Sequence, residues 1–328
     1  MTTKAGLAAL FLLACGLTLL VGVRGAGFAD IGRLLLAFDP NDPLHLTIAS
    51  IRVPRLLAGV IAGAALGMAG TIMQALTRNP LADPGLLGVS AGGAFSVVLG
   101  SLLLGRADSG LVAALAFPGA ALAAILVFAL GGGLRGEVGP VRLTLAGAAL
   151  NAFLLSLVSA IVLTRSDSLE VFRFWVTGSL AQAGERPLLA MGLVALGTGA
   201  FALAAAPAIE TLSLGAQLAR GLGTRIRRAQ GAALLAVTLL TGAAVAVAGP
   251  IAFLGLMVPP LARRVAGHGL RAELGVSAVI GASILLLADT LGRLLIAPAE
   301  VRVGVMTALV GGPVFIWIAR GLLEGRRA

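Results

Sequence analysis

The chain has 328 residues, 59% of them hydrophobic and only 12% charged, with a mean hydropathy of +1.04. A soluble domain carries about 25% charged residues, so an ordinary soluble fold is excluded. The formal charge of +10 and pI of 11.6 would suit a nucleic-acid binder, but in so apolar a chain arginines mark cytoplasmic loops.

Taken in order, Lys4 precedes nineteen uncharged residues, 5–23. That stretch is long for a secretion signal and is read as an uncleaved first span. Further uncharged runs cover 56–77, 84–105, 109–134, 143–164, 187–209, 229–262 and 303–319. A shorter one, 274–288, continues past Asp289. About 20 apolar residues cross a bilayer core as a helix. The pattern predicts an all-α polytopic membrane protein with one helix bundle over 1–328. The single cysteine, Cys15, excludes an intrachain disulfide.

The run 229–262 is too long for one span, since its 34 residues would measure about 51 Å against a core of about 30 Å. It contains Gly249-Pro250 and Pro259-Pro260, and proline breaks a helix interior. A span, a break and a short returning segment near 250–262 are predicted, which makes ten spans. Charge separates ten from nine. With ten, the cytoplasmic Lys and Arg number 14: Lys4, Arg78, Arg135, Arg142, Arg220, Arg225, Arg227, Arg228, Arg263, Arg264, Arg271, Arg320, Arg326 and Arg327. With nine, the tally reverses to 10 inside and 14 outside. Nine of the fourteen acidic residues then lie outside on the ten-span count. Both termini are therefore placed in the cytoplasm.

Gly59, Gly63 and Gly67 repeat every fourth residue of the second span. Either they let another helix approach closely, or they reflect an abundance of glycine, 46 residues in all. Several chemistries are missing. Lys4 is the only lysine, which rules out a G-x-x-x-x-G-K-[ST] phosphate loop. His45 and His268 have no partner at a metal-ligand spacing, and no metal site is predicted. Asp289 is the one clear carboxylate within a span, with Arg293 four residues on. The two form a locally neutralised pair or, less economically, part of a proton relay.

Between the second and third runs lies "RNPLADPGLLGVSAGG", 78–93. Asn79-Pro80 and Asp83-Pro84 make turns, and Pro84 suits the head of the third span with Asp83 as its cap. Read with its flanks, "RVPRLLAGVIAGAALGMAGTIMQALTRNPLADPGLLGVSAGGAF" (52–95) resembles the FecCD/BtuC-type permease family, the membrane subunits of ABC importers for ferric siderophores, haem and vitamin B12. The resemblance continues through "FRFWVTGSLA" (172–181), "LGAQLARGLGTRIRR" (214–228), "GPIAFLGLMVPPLAR" (249–263) and "ADTLGRLLIAPAEVRVGVMTALVGGPVFIW" (288–317).

The resemblance implies a non-enzymatic transport subunit in the bacterial inner membrane. It would work with a second permease subunit, identical or related, with two cytoplasmic ATPases that bind ATP and Mg, and with a periplasmic substrate-binding protein. It would carry no cofactor of its own. The cytoplasmic loop 208–228 would couple to the ATPase through Leu214, Gly215, Leu218, Ala219, Arg220, Leu222 and Gly223. From the residues alone, its leucines at helical spacing beside arginines suit either a partner groove or lipid headgroups. Arg52, Arg55 and Arg293 resemble arginines that receive carboxylates of the binding protein; snorkelling is the alternative for the first two. Gln74, Asn79, Pro80, Pro84, Gly249, Pro250 and Pro259 join the three glycines as packing or pathway positions. The family often has Pro-His where this chain has Pro259-Pro260. A ferric siderophore is the preferred cargo, with haem or vitamin B12 as alternatives. An ion-coupled carrier, which would need no ATPase, is a remote one.

Overall fold

A computed structural model describes residues 2–22, 25–105, 109–132 and 140–324. Arg135, Arg326 and Arg327, counted above as cytoplasmic, lie outside the described residues. The described residues form helices and connecting turns without a strand. The helices are α1 (Thr2–Leu20), α2 (Phe28–Leu36), α3 (Pro43–Thr47), α4 (Val53–Thr77), α5 (Val89–Leu104), α6 (Ser109–Leu130) and α7 (Pro140–Thr164). After them come α8 (Ser166–Trp175), α9 (Leu188–Ser213), α10 (Ala216–Gly221), α11 (Ile226–Ala248), α12 (Leu254–Ala266), α13 (Leu270–Leu295) and α14 (Val303–Glu324). Among the described residues, six helical segments are long and apolar enough to cross a membrane: Pro43–Thr77, Gly110–Leu130, Val141–Thr164, Leu188–Ser213, Ile226–Ala248 and Leu270–Leu295. Lys4–Leu20, Val89–Leu104 and Val303–Ile318 are shorter apolar helices.

Helix α4 is the hub, with α13, α11, α12 and α9 packed around it. Its glycines explain how closely α13 approaches. A Cβ on Gly63 would lie 2.6 Å from the Ala282 Cα, and one on Gly59 would lie 2.5 Å from Leu286 Cδ2. One on Gly67 would collide with the Ser277 carbonyl. Every approach is made possible by a missing side chain. Thr71 Oγ1 and Ser277 Oγ, 2.7 Å apart, add a hydrogen bond across the same seam.

The long run 229–262 divides as its length requires, into α11 and α12 with a break at 249–253. Gly249, at φ 73°, ends α11, and Phe253, at φ 65°, enters α12. The prolines 259 and 260 are not at the break, however. They lie inside α12, which runs on to Ala266. Each proline frees the carbonyl four residues earlier. Those carbonyls belong to Gly255 and Leu256, and α4 covers both: Gly70 abuts the first and Gln74 Nε2 donates to the second at 3.2 Å. A neighbouring helix that packs on one freed carbonyl and donates to the other lets the prolines stay helical.

Two other expected boundaries move. Pro84 opens a separate 3₁₀ turn, Pro84–Leu87, rather than the third span. Asp83 Oδ1 caps that turn by accepting from Gly85 N at 2.7 Å. Gly88, left-handed at φ 69°, then starts α5. The loop expected at 208–228 narrows to 214–225, because α9 continues to Ser213 and α11 begins at Ile226.

Candidate functional site

Three places along the bundle collect most of its polar chemistry. The first lies where α4 begins and α13 ends. Arg55 donates from Nε and Nη2 to both carboxylate oxygens of Asp289, each at 2.8 Å, and from Nη1 to Glu300 at 2.9 Å. This two-pronged geometry is what a guanidinium offers a carboxylate. Arg293 Nε stands 3.3 Å from Asp289, so the pairing expected between those two exists. The nearer partner, Arg55, comes from 234 residues away in the chain. Arg293 Nη1 also donates to the Val21 carbonyl at 2.5 Å. Arg52 sits on the single turn of π-helix, Ile48–Arg52, and its Nη1 donates to the Leu19 carbonyl at 2.6 Å. Arg52, Arg55 and Arg293 thus line one cavity of about 330 Å³, together with Glu300. Asp289 is 1% exposed and Glu300 34%, so of the two carboxylates only Glu300 meets solvent appreciably.

The second place is the break. Helix α11 ends with carbonyls that no further turn can satisfy. Gly249 N takes that of Val245 at 2.8 Å, Arg186 Nη1 that of Ala246 at 3.3 Å, and Ser179 N that of Ala248 at 2.8 Å. The segment 175–186 is therefore the cap of α11. Gly178, at φ 59°, lies against the Pro250 carbonyl, where a Cβ would not fit. Two motifs some seventy residues apart in the chain meet here.

The third place is the opposite end of α4. Gln74 Nε2 reaches the Leu256 carbonyl, and its Oε1 accepts from Arg263 Nη2 at 2.9 Å. Arg263 also holds Glu273 at 3.0 Å. One amide thereby ties α4, α12 and, through Arg263, α13. The turn beside it is built by Asn79, whose Oδ1 accepts from Leu81 N at 3.0 Å, followed by Pro80. Pro84 packs against Gly255 of α12. Desolvation holds the Asp83 carboxyl above the usual carboxylate range, opposed by the Gly85 N–H that it accepts.

Beyond this end lies α10. It is bracketed by Gly215 (φ 100°) and Gly223 (φ 78°), both in a backbone region that side chains disfavour. Thr211 and Thr224 close the base of the loop, hydroxyl to hydroxyl at 2.9 Å. Leu214, Leu218 and Leu222 are 55%, 63% and 64% exposed, while Ala219 is buried beneath them. Arg220 is exposed beside the leucines. This is an exposed apolar stripe with a basic border, on a short helix that rests on α9 and α11. Sequence reasoning missed Glu300, Arg263 and Glu273. Glu300 and Arg263 stood inside quoted motifs, but their partners Arg55 and Gln74 are distant in the chain. Glu273 stood in no quoted motif and pairs with Arg263 ten residues before it.

None of the three places contains a nucleophile next to a base. They are a buried ion-pair cluster, a helix cap and an amide-centred junction, arranged along a bundle of apolar helices. The model of the FecCD transport family matches residues 9–321. The chain is 44% identical to the ferric enterobactin transport system permease protein FepD of Escherichia coli (strain K12), over 98% of this chain and 95% of that one. It is 40% identical to the hemin transport system permease protein HmuU of Yersinia pestis, over 92% and 93% respectively. A solved inward-facing metal-chelate type ABC transporter superposes with a TM-score of 0.81 at 25% identity, covering 97% of this chain and 98% of that one. With the family matched almost end to end and the fold shared, this multi-pass membrane protein belongs to the FecCD transport family.

Proposed function

We propose that this chain is the membrane subunit of a binding-protein-dependent ABC importer that carries a ferric siderophore across the bacterial inner membrane. In this reading α1, α4–α7, α9 and α11–α14 are the ten membrane segments, α12 being the short one, and both termini are cytoplasmic. A second permease subunit completes the pathway. Two ATPases bind ATP and Mg, and no covalent chemistry takes place in this chain.

The observation that carries the reading is that one chain places an arginine-lined cavity and an exposed apolar stripe at opposite ends of the same hub. At one end, three arginines converge on a cavity. At the other, α10 holds out a leucine stripe suited to a groove on a partner. The cluster also says how an acidic group of a docking protein would enter. Both Asp289 oxygens are held by Arg55 in a buried pair, whereas Glu300 is half-buried and bound through one contact. An incoming carboxylate would replace Glu300 on Arg55 Nη1. Glu300 lies three residues before α14, so its displacement would reach that helix directly. The relative named for ferric enterobactin favours a siderophore; the one named for hemin supports haem as the second reading.

The test is uptake by the complex reconstituted in vesicles with its ATPase and binding protein, offered ferric siderophore, haem or cobalamin in turn. Siderophore uptake that needs both ATP and the binding protein is expected. Uptake driven by an ion gradient without ATP would overturn the importer reading. ATP-dependent haem or cobalamin uptake would overturn only the cargo.

A further inference from the structure

Helices α4, α9 and α13 enclose an apolar groove of about 790 Å³. Its walls include Ile61, Ala64 and Met68 of α4, Gly192 and Gly199 of α9, and Gly275 of α13. No charged residue lines it. Helix α9 keeps most of its surface on the outside of the bundle, with only 17% of its apolar stretch buried. The groove therefore opens where the membrane is, and water is not its natural filling.

Its length can be read from the helix rise. From Leu57 to Met68 the α4 wall runs about 17 Å, and from Leu188 to Leu203 the α9 wall runs about 22 Å. One leaflet contributes about 15 Å of a 30 Å core. The groove is long enough for a whole acyl chain. It also ends on a charge. Arg271, Gly275 and Ala278 recur on one face of α13. Arg271 Nε donates to the carbonyl of Leu203, a groove residue, at 3.0 Å. The Arg271 side chain is exposed, and among the described residues no acidic group pairs with it. Glu273, two residues on, is taken by Arg263. The groove thus has an apolar body capped by an exposed guanidinium held through its Nε.

We propose that this groove is a binding site for one phospholipid, with an acyl chain lying between α4 and α9 and the headgroup phosphate on Arg271. The lipid fills the furrow left by Gly192, Gly199 and Gly275, and so completes the packing of α9 on the hub. The site lies apart from the arginine cavity and from α10, and it does not depend on which cargo is carried.

The test is native mass spectrometry of the intact membrane complex, purified in detergent and titrated with phosphatidylglycerol. Wild type should retain one lipid per chain after the remaining lipid is stripped. A Cβ on Gly275 would meet nothing within 4 Å, so Gly275→Phe can enter the groove without moving backbone and should abolish retention. Arg271→Gln leaves the groove intact and should weaken retention about fivefold, the effect of one basic residue near a phosphate surface. Inorganic phosphate in place of lipid should leave no bound mass. Equal retention in wild type and both variants would overturn the site, as would retention that Arg271→Gln does not weaken. Disulfide-linked dimers formed through Gly275→Cys in a Cys15→Ser background would show instead that a second copy covers the groove, and would overturn it too.

Discussion

The two ends of α4 are held by opposite kinds of chemistry. At its start, full charges are clustered out of water: Arg55, Asp289 and Arg293, with Glu300 at the edge. Near its other end, a neutral amide, Gln74, reaches a carbonyl that Pro260 has freed, and a single arginine joins it. A buried charge that loses its partner is very costly, so the first end resists rearrangement. A neutral hydrogen bond contributes about 1 kcal/mol net, so the second end can exchange its contacts at modest cost. The difference suggests a hub anchored where the arginines converge and able to shift where α12 and the loop before α5 meet it.

The largest effect should come from breaking the anchor. Asp289→Ala leaves Arg55 and Arg293 without their shared buried carboxylate and should cost about 3–5 kcal/mol. Thermal unfolding in detergent would read this as a strongly lowered midpoint or loss of folded protein. If that variant unfolds no more easily than wild type, the anchor carries little of the hub.

Breaking the movable end should cost less. Gln74→Leu strands the Leu256 carbonyl and one Arg263 contact, for about 1–3 kcal/mol. The same melting measurement should place it above Asp289→Ala. Basal ATP hydrolysis by the assembled complex should rise, because α12 loses a tie to α4. A variant as unstable as Asp289→Ala with unchanged hydrolysis would erase the contrast between the ends.

Within the arginine cluster, Glu300→Gln tests which member is exchangeable. Its stability cost should stay below about 1 kcal/mol, as for partly exposed ion pairs. Surface plasmon resonance should show tighter binding of the periplasmic binding protein, because the internal competitor for Arg55 is weakened. Weaker binding would mean that Glu300 supports the docking face rather than occupying it.

The smallest effect concerns Asp83, beside the movable end. Its carboxyl is raised in the folded state by desolvation. A raised carboxyl contributes stability that is present below the unfolded value, about 3.9, and is lost as pH climbs through the folded value. Asp83→Asn keeps an acceptor for Gly85 N and carries no charge. It should melt slightly higher than wild type at neutral pH and no higher near pH 3.5. A melting series across pH would show no such crossover if the carboxyl ionises without cost.

Much of the architecture was legible from residues alone. Uncharged runs located the helices, because nothing polar can stay unpaired in lipid, and the length of 229–262 forced a division. Helix boundaries were harder. Pro259-Pro260 looks like a breaker until Gly70 and Gln74 are seen covering the carbonyls that it frees. Pro84 looks like the head of a span until Gly88 turns left-handed. Both outcomes depend on a neighbouring helix or a backbone angle that local pattern does not encode.

The site divides in the same way. The leucine spacing of 214–222 could be read from helical period, and the arginines at 52, 55 and 293 were singled out by the family resemblance. Their surroundings could not. Arg55 finds Asp289 across 234 residues and Glu300 across 245, and Ser179 caps Ala248 at the break. By itself, then, the sequence determined the all-helical membrane class, the approximate place of its apolar helices and the family, because these follow from composition, period and contiguous motif. Only the tertiary structure decided which charges neutralise one another, which prolines bend the chain and where a furrow opens to the membrane. Those outcomes rest on distances between helices that chain order leaves free.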